Sequence, residues 1–144
     1  MTKNVLVSIA GLHYGVDDEN GAAEPLEVIT PATYYFKNNK HYILYEEVVE
    51  GMVGTTKNTI KIAEDGFFEM SKAGLTNSKM TFEKDRIYMT NYQTPFGEMV
   101  VGVHTKTLNV DVQEDDINVG IVYSLDVDNV PLSDCKIKVN IHSL

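Results

Sequence analysis

The sequence predicts an all-β protein, an antiparallel sheet of about eight to ten strands closed on itself as an up-and-down barrel. Three observations lead there. Val, Ile, Thr and Tyr dominate, Trp is absent, and no long window carries apolar residues at helical spacing. Alternating apolar and polar stretches recur along the whole chain, most of them ended by a short polar turn. Short turns with no helix between strands favour pairing of sequence neighbours, and closure removes exposed edges. A two-sheet sandwich is the alternative, because alternation alone does not separate the two.

Residues 3–13 read as a first strand, with Val5, Val7 and Ile9 on one parity. Residues 15–25 are polar and rich in breakers, so they form a loop. Residues 26–37 make a second strand interrupted by Pro31, and Asn38-Asn39 turns the chain tightly into a third, 41–49. After a turn over 50–54, residues 55–63 alternate Ile60 and Ile62 against Lys57, Thr59 and Lys61. Glu64-Asp65-Gly66 then leads into a short strand, 67–72, ended by Ala73-Gly74.

Residues 75–82 and 86–92 follow, separated by Glu83-Lys84-Asp85. Between Tyr92 and the longest run lies Tyr92-Gln93-Thr94-Pro95-Phe96-Gly97, a specified bend. Pro95 fixes its own φ and biases Thr94 to be extended, and Gly97 takes angles closed to its neighbours. Residues 98–112 begin with Met99, Val101 and Val103 on one parity and finish with Leu108, Val110 and Val112 on the other. That switch needs a bulge between His104 and Thr107. Glu114-Asp115-Asp116 turns into the almost unbroken face of Ile117, Val119, Ile121, Tyr123, Leu125 and Val127. Asp128-Asn129 turns again, and Ile137, Val139 and Ile141 close the chain.

The 144 residues suit one domain spanning 1–144. A net charge of −9 argues against nucleic acid or an anionic membrane as partner, since both are polyanions. Cys135 is the sole cysteine, which excludes an internal disulfide and fits a reducing, cytoplasmic setting. Residues 5–12 make a poor signal-peptide core, because the run is only about eight residues, includes Ser8 and Gly11, and leads into His13-Tyr14, not a small-residue cleavage site. No stretch approaches the ~20 apolar residues of a membrane-spanning helix.

Tyr45-Glu46-Glu47, Gly54-Thr55-Thr56-Lys57, Tyr92-x-Thr94-Pro95-Phe96-Gly97, Thr105 and Tyr123-x-Leu125 occur in an order and spacing that resembles the small bacterial YwiB-like family. The likeness covers nearly all of the chain after residue 26, and Tyr-x-Thr-Pro-Phe-Gly is its most specific piece. The resemblance implies a calycin-like (lipocalin-type) barrel and no established activity. The family often carries Arg two residues before the glycine that here is Gly74, whereas this chain has Lys72. A point charge in place of a planar fork weighs against a carboxylate clamp there.

Calycin barrels elsewhere bind small apolar ligands, a fold-level analogy. It makes a small-molecule site at a barrel mouth the working expectation, drawing on Tyr45, Glu47, Thr56, Lys72, Tyr92, Phe96, Thr105 and Tyr123. Adjacent Glu46 and Glu47 must point to opposite faces, so one faces inwards and needs a partner. Tyr45, Lys57, Lys72 and Arg86 are the candidates. Such a pair serves to orient a ligand, to transfer a proton, or as an internal tie at the barrel end; the tie is the favoured reading, because buried charge pairs are usually structural and no nucleophile–base set accompanies this one.

No catalytic set accompanies it, because no serine sits in a nucleophile elbow and no glycine pattern cradles a phosphate. His13, His41, His104 and His142 lack ligand spacing, and the acidic runs Asp17-Asp18-Glu19 and Glu114-Asp115-Asp116 lie in turns. No metal or cofactor is expected. Tyr34-Tyr35-Phe36 and Tyr42 fall across one hairpin, where cross-strand packing accounts for them. Cys135 reads as a small packed residue in the lead-in to the last strand. The alternative to ligand binding is a structural or interaction domain, monomeric or a homodimer; an enzyme ranks below both.

Overall fold

The structure, a computed structural model, describes residues 3–14, 26–48, 54–74, 78–94 and 97–144. Among them every regular element is a strand: β1 (Lys3–Tyr14), β2 (Leu26–Lys37), β3 (Lys40–Val48), β4 (Thr55–Ala63) and β5 (Phe67–Ala73). β6 (Ser78–Glu83), β7 (Ile87–Thr94), β8 (Gly97–Val112), β9 (Asp116–Val127) and β10 (Val130–Ser143) complete the set. The expected loop over 15–25 and the Pro95-Phe96 bend lie outside the described residues.

The strands form one antiparallel sheet in the order β6-β5-β4-β3-β2-β1-β10-β9-β8-β7. Every neighbour is also a sequence neighbour except β1 and β10, which pair from Val5↔Ser143 to Tyr14↔Asp134. The first and last strands therefore sit in the middle of the wall. The sheet curls into a barrel whose seam falls between β6 and β7, which touch without a shared ladder among the described residues. Their connecting turn is held instead by β8: the Asp85 N–H donates to the Thr105 carbonyl, and the Thr105 N–H donates to the Arg86 carbonyl. Tyr88 Oη adds a hydrogen bond to Glu83 Oε2 at 2.8 Å, and Arg86 Nε lies 3.0 Å from the same oxygen.

Turn chemistry matches the connections. Asn38 and Asn39 have φ of 54° and 61°, and Asp128 and Asn129 have 49° and 68°. Paired left-handed residues are what a two-residue hairpin loop needs to follow the strand twist, and Asn and Asp tolerate that region best. In β8 the register shifts between Thr105 and Thr107, so the bulge falls where the parity switch required it. A second shift, between Pro131 and Ser133, accommodates a proline early in β10.

The inward parity fills the barrel. Val5, Val7, Ile43, Ile60, Ile62, Phe68, Phe82, Val103, Ile121 and Val139 are buried in one cluster. Phe82 packs against both Phe68 and Tyr123, with ring centroids 5.9 and 4.9 Å away. Cys135 is buried inside β10, opposite Tyr123, and not in a lead-in, because β10 begins five residues earlier at Val130. Tyr35 and Tyr42 stack at 4.8 Å across the β2–β3 hairpin.

Candidate ligand site

Antiparallel pairing sorts the connections to two ends. The tight turns at 38–39, 64–66, 84–86 and 113–115 lie at one end, beside the outer ends of β1 and β10. The strand ends flanking 15–25, 49–54, 74–77 and 95–96 gather at the other, the loop end. Polar side chains occupy the inward face there. Register places Tyr45 opposite Asn58 and Asn58 opposite Lys72, and one row further out it places Glu47 opposite Thr56. All share the inward parity of Ile43, Ile60 and Met70.

Of the two adjacent carboxylates, Glu47 turns inwards and Glu46 outwards, across from Lys57. Lys72 Nζ lies 3.3 Å from Glu47 Oε1, and Asn58 Nδ2 donates to the same oxygen at 3.2 Å. Asn58 also reaches the Thr56 carbonyl at 3.4 Å. A clamp thus exists at position 72 against the expectation, because lysine's flexible stem reaches diagonally across β4 to make a single contact. Arg86 is spent on Glu83 instead. Opposite Glu47, Thr56 is 2% exposed and its Oγ1 has no hydrogen-bond partner among the described residues. Burial, and next the charge of Glu47, push the Tyr45 hydroxyl pKa up, so it stays protonated.

Four of the eight expected residues, Tyr45, Glu47, Thr56 and Lys72, therefore form one constellation. Thr105 and Tyr123 pair with each other elsewhere, on β8 and β9. Tyr123 rests on Phe82, which is four residues along β6 from Ser78, the partner of Lys72, or roughly 13 Å at strand rise. Tyr92 lies in β7 opposite Met99, and Phe96 falls outside the described residues. Sequence reasoning missed Asn58. Its signal was available, because Asn58 shares the parity of Ile60 and Ile62 and is the polar residue that breaks that apolar face.

Near the same end Gly11 pairs with Ile137 and so faces the interior, where an added Cβ would meet nothing within 4 Å. Two other features lie away from this site. Tyr34 Oη and His41 Nδ1 are 2.6 Å apart near the turn end, with His41 buried and its Nε2 unpartnered. On the outer face, Ser8, Ala10, Gly120, Lys138 and Asn140 border an open groove of about 500 Å³. Among the described residues no group of His, Cys, Asp and Glu could hold a metal ion.

Comparison with known proteins gives a consistent answer. The chain is 29% identical over 112 residues to the uncharacterized β-barrel protein YwiB of Bacillus subtilis (strain 168), covering 78% of this chain and 77% of that one. The crystal structure of the ywiB protein from Bacillus subtilis superposes with a TM-score of 0.78 at 21% identity, over 99% of this chain and 93% of that one, which shows the fold. The family described as a domain of unknown function, DUF1934, matches residues 8–139, more than half of the chain. The chain belongs to that family of β-barrel proteins, for which no function is established.

Proposed function

We propose that this protein is a calycin-type binding module, not an enzyme, that takes a small amphipathic molecule at the loop end of the barrel. The observation that carries the reading is the polar inward cluster at the loop end, in which the buried Thr56 hydroxyl, opposite Glu47 in register, has no hydrogen-bond partner among the described residues. A buried hydroxyl left unpaired costs on the order of 1–3 kcal/mol, so such groups commonly await a water or a ligand. A reducing, cytoplasmic setting accords with the single buried cysteine.

A second reading has one observation in its favour. Ile87 and Met89 are 60% and 55% exposed on β7, beside the strand edge that no ladder covers among the described residues, which suits an interaction domain acting as a homodimer. Native mass spectrometry of the purified protein, compared with its denatured mass, separates the two. A non-covalent adduct of roughly drug-like mass supports ligand binding. A bare dimer overturns it in favour of the interaction domain.

A further inference from the structure

The loop-end constellation has a charge balance that constrains what it takes; the argument rests on the binding reading above. Its charged members are one carboxylate, Glu47, and one ammonium, Lys72, in contact at 3.3 Å. Tyr45, Thr56 and Asn58 are neutral, and burial keeps the Tyr45 hydroxyl so. Glu47 Oε1 already accepts from both Lys72 and Asn58, while no hydrogen bond engages its Oε2 among the described residues. Lys72 has three donors, of which this contact uses one. Oε2 therefore offers an acceptor and Lys72 a donor, with the hydroxyl of Thr56, opposite Glu47 in register, able to serve as either.

A ligand carrying one net charge would satisfy one member of the pair and repel or strand the other. An anion would approach Lys72 at the expense of its bond to Glu47 and lie against that carboxylate. A cation would do the converse. A net-neutral head that both donates and accepts engages both partners and leaves the pair intact.

We propose that the loop-end site selects ligands whose polar head is net neutral and both donates and accepts hydrogen bonds, such as a primary carboxamide, in preference to a fatty carboxylate or an alkylammonium.

Three probes with one tail and different heads test this: decanamide, decanoate and decylammonium, titrated calorimetrically against the full chain at pH 7. Decanamide is expected to bind at least about tenfold tighter than either charged probe, the scale of one hydrogen bond to a charged group. Glu47→Gln removes the repulsion of the anion and is expected to shift preference towards decanoate, whereas Lys72→Met is expected to shift it towards decylammonium. Decanoate or decylammonium binding as tightly as decanamide to the native protein overturns the neutral-head inference while leaving a binding module standing. Failure of all three to bind overturns the binding reading itself, and this inference with it. Both variants alter a partly exposed pair and are expected to fold, which circular dichroism checks.

Discussion

Lys72 of β5 and Glu47 of β3 meet at 3.3 Å across the intervening strand β4, over the side chain of Asn58. The two side chains are 37% and 42% exposed, so solvent screens much of their attraction. Lys72→Met is therefore expected to cost less than about 1 kcal/mol in denaturant unfolding. A loss well above that would make the pair a structural tie.

Thr56 behaves oppositely. Replacing its buried, unpartnered hydroxyl by a methyl of similar shape in Thr56→Val removes an unmet desolvation cost. The variant is expected to be about 1 kcal/mol more stable without ligand, a rise in Tm of roughly 2–4 °C. The same change is expected to weaken ligand binding roughly three- to tenfold by losing one hydrogen bond. Thr105, 0% exposed and its hydroxyl also without a hydrogen-bond partner among the described residues, is the control. Thr105→Val is expected to stabilise similarly and leave ligand affinity unchanged, because it faces Tyr123 and not the Glu47–Lys72 pair.

His41 makes stability depend on pH. Burial lowers its pKa below the usual 6.5, an effect only partly opposed by Glu64. Between the unfolded value and the lowered folded one, the unfolded chain binds more protons, so stability falls as pH drops below about 6.5. Thermal unfolding from pH 8 to 5 is expected to show that loss, and His41→Gln is expected to flatten it. An unchanged slope in the variant would assign the acid sensitivity to other groups.

Gly74 has a φ of 138°, and a Cβ there would collide with the carbonyl oxygen of Thr55 in the neighbouring strand. Gly74→Ala is therefore expected to destabilise by at least about 1–3 kcal/mol, since the backbone must shift on β4 or β5. Equilibrium unfolding measures it directly.

The seam sets the order in which the wall opens. Among the described residues β6 and β7 each lack a ladder on one side, whereas β1 and β10 are paired on both. Hydrogen exchange is expected to reach the outward edge amides of β6 and β7 well before those of β1 and β10. Equal protection would mean that the seam is sealed in solution.

Most of the fold was legible because its signals are local. The Asn38-Asn39 and Asp128-Asn129 turns are written in residues that tolerate positive φ, and the bulge near Thr105 appears as a slip of parity between Val103 and Leu108. Closure was not local. Nothing in β6 or β7 announces the seam, and the pairing of β1 with β10 joins residues as distant as Val5 and Ser143. The site was half legible for the same reason. Parity showed that Glu46 or Glu47 must turn inwards, but choosing between Lys57, Lys72 and Arg86 required the register of three strands. Asn58 went unread because one amide among isoleucines resembles an ordinary strand residue until its neighbours across β3 and β5 are known.

Where a ligand sits decides whether the loop end of the barrel is a binding site. Amide-resolved NMR of the full chain, titrated with decanamide, reports this residue by residue. The largest shifts are expected at Tyr45, Glu47, Thr56, Asn58 and Lys72, on the inward face of β3, β4 and β5 at the loop end. Shifts centred on Gly120 and Asn140 of the outer groove, or on Tyr34 and His41, would contradict the assignment of the site. The absence of any shift would contradict the binding role.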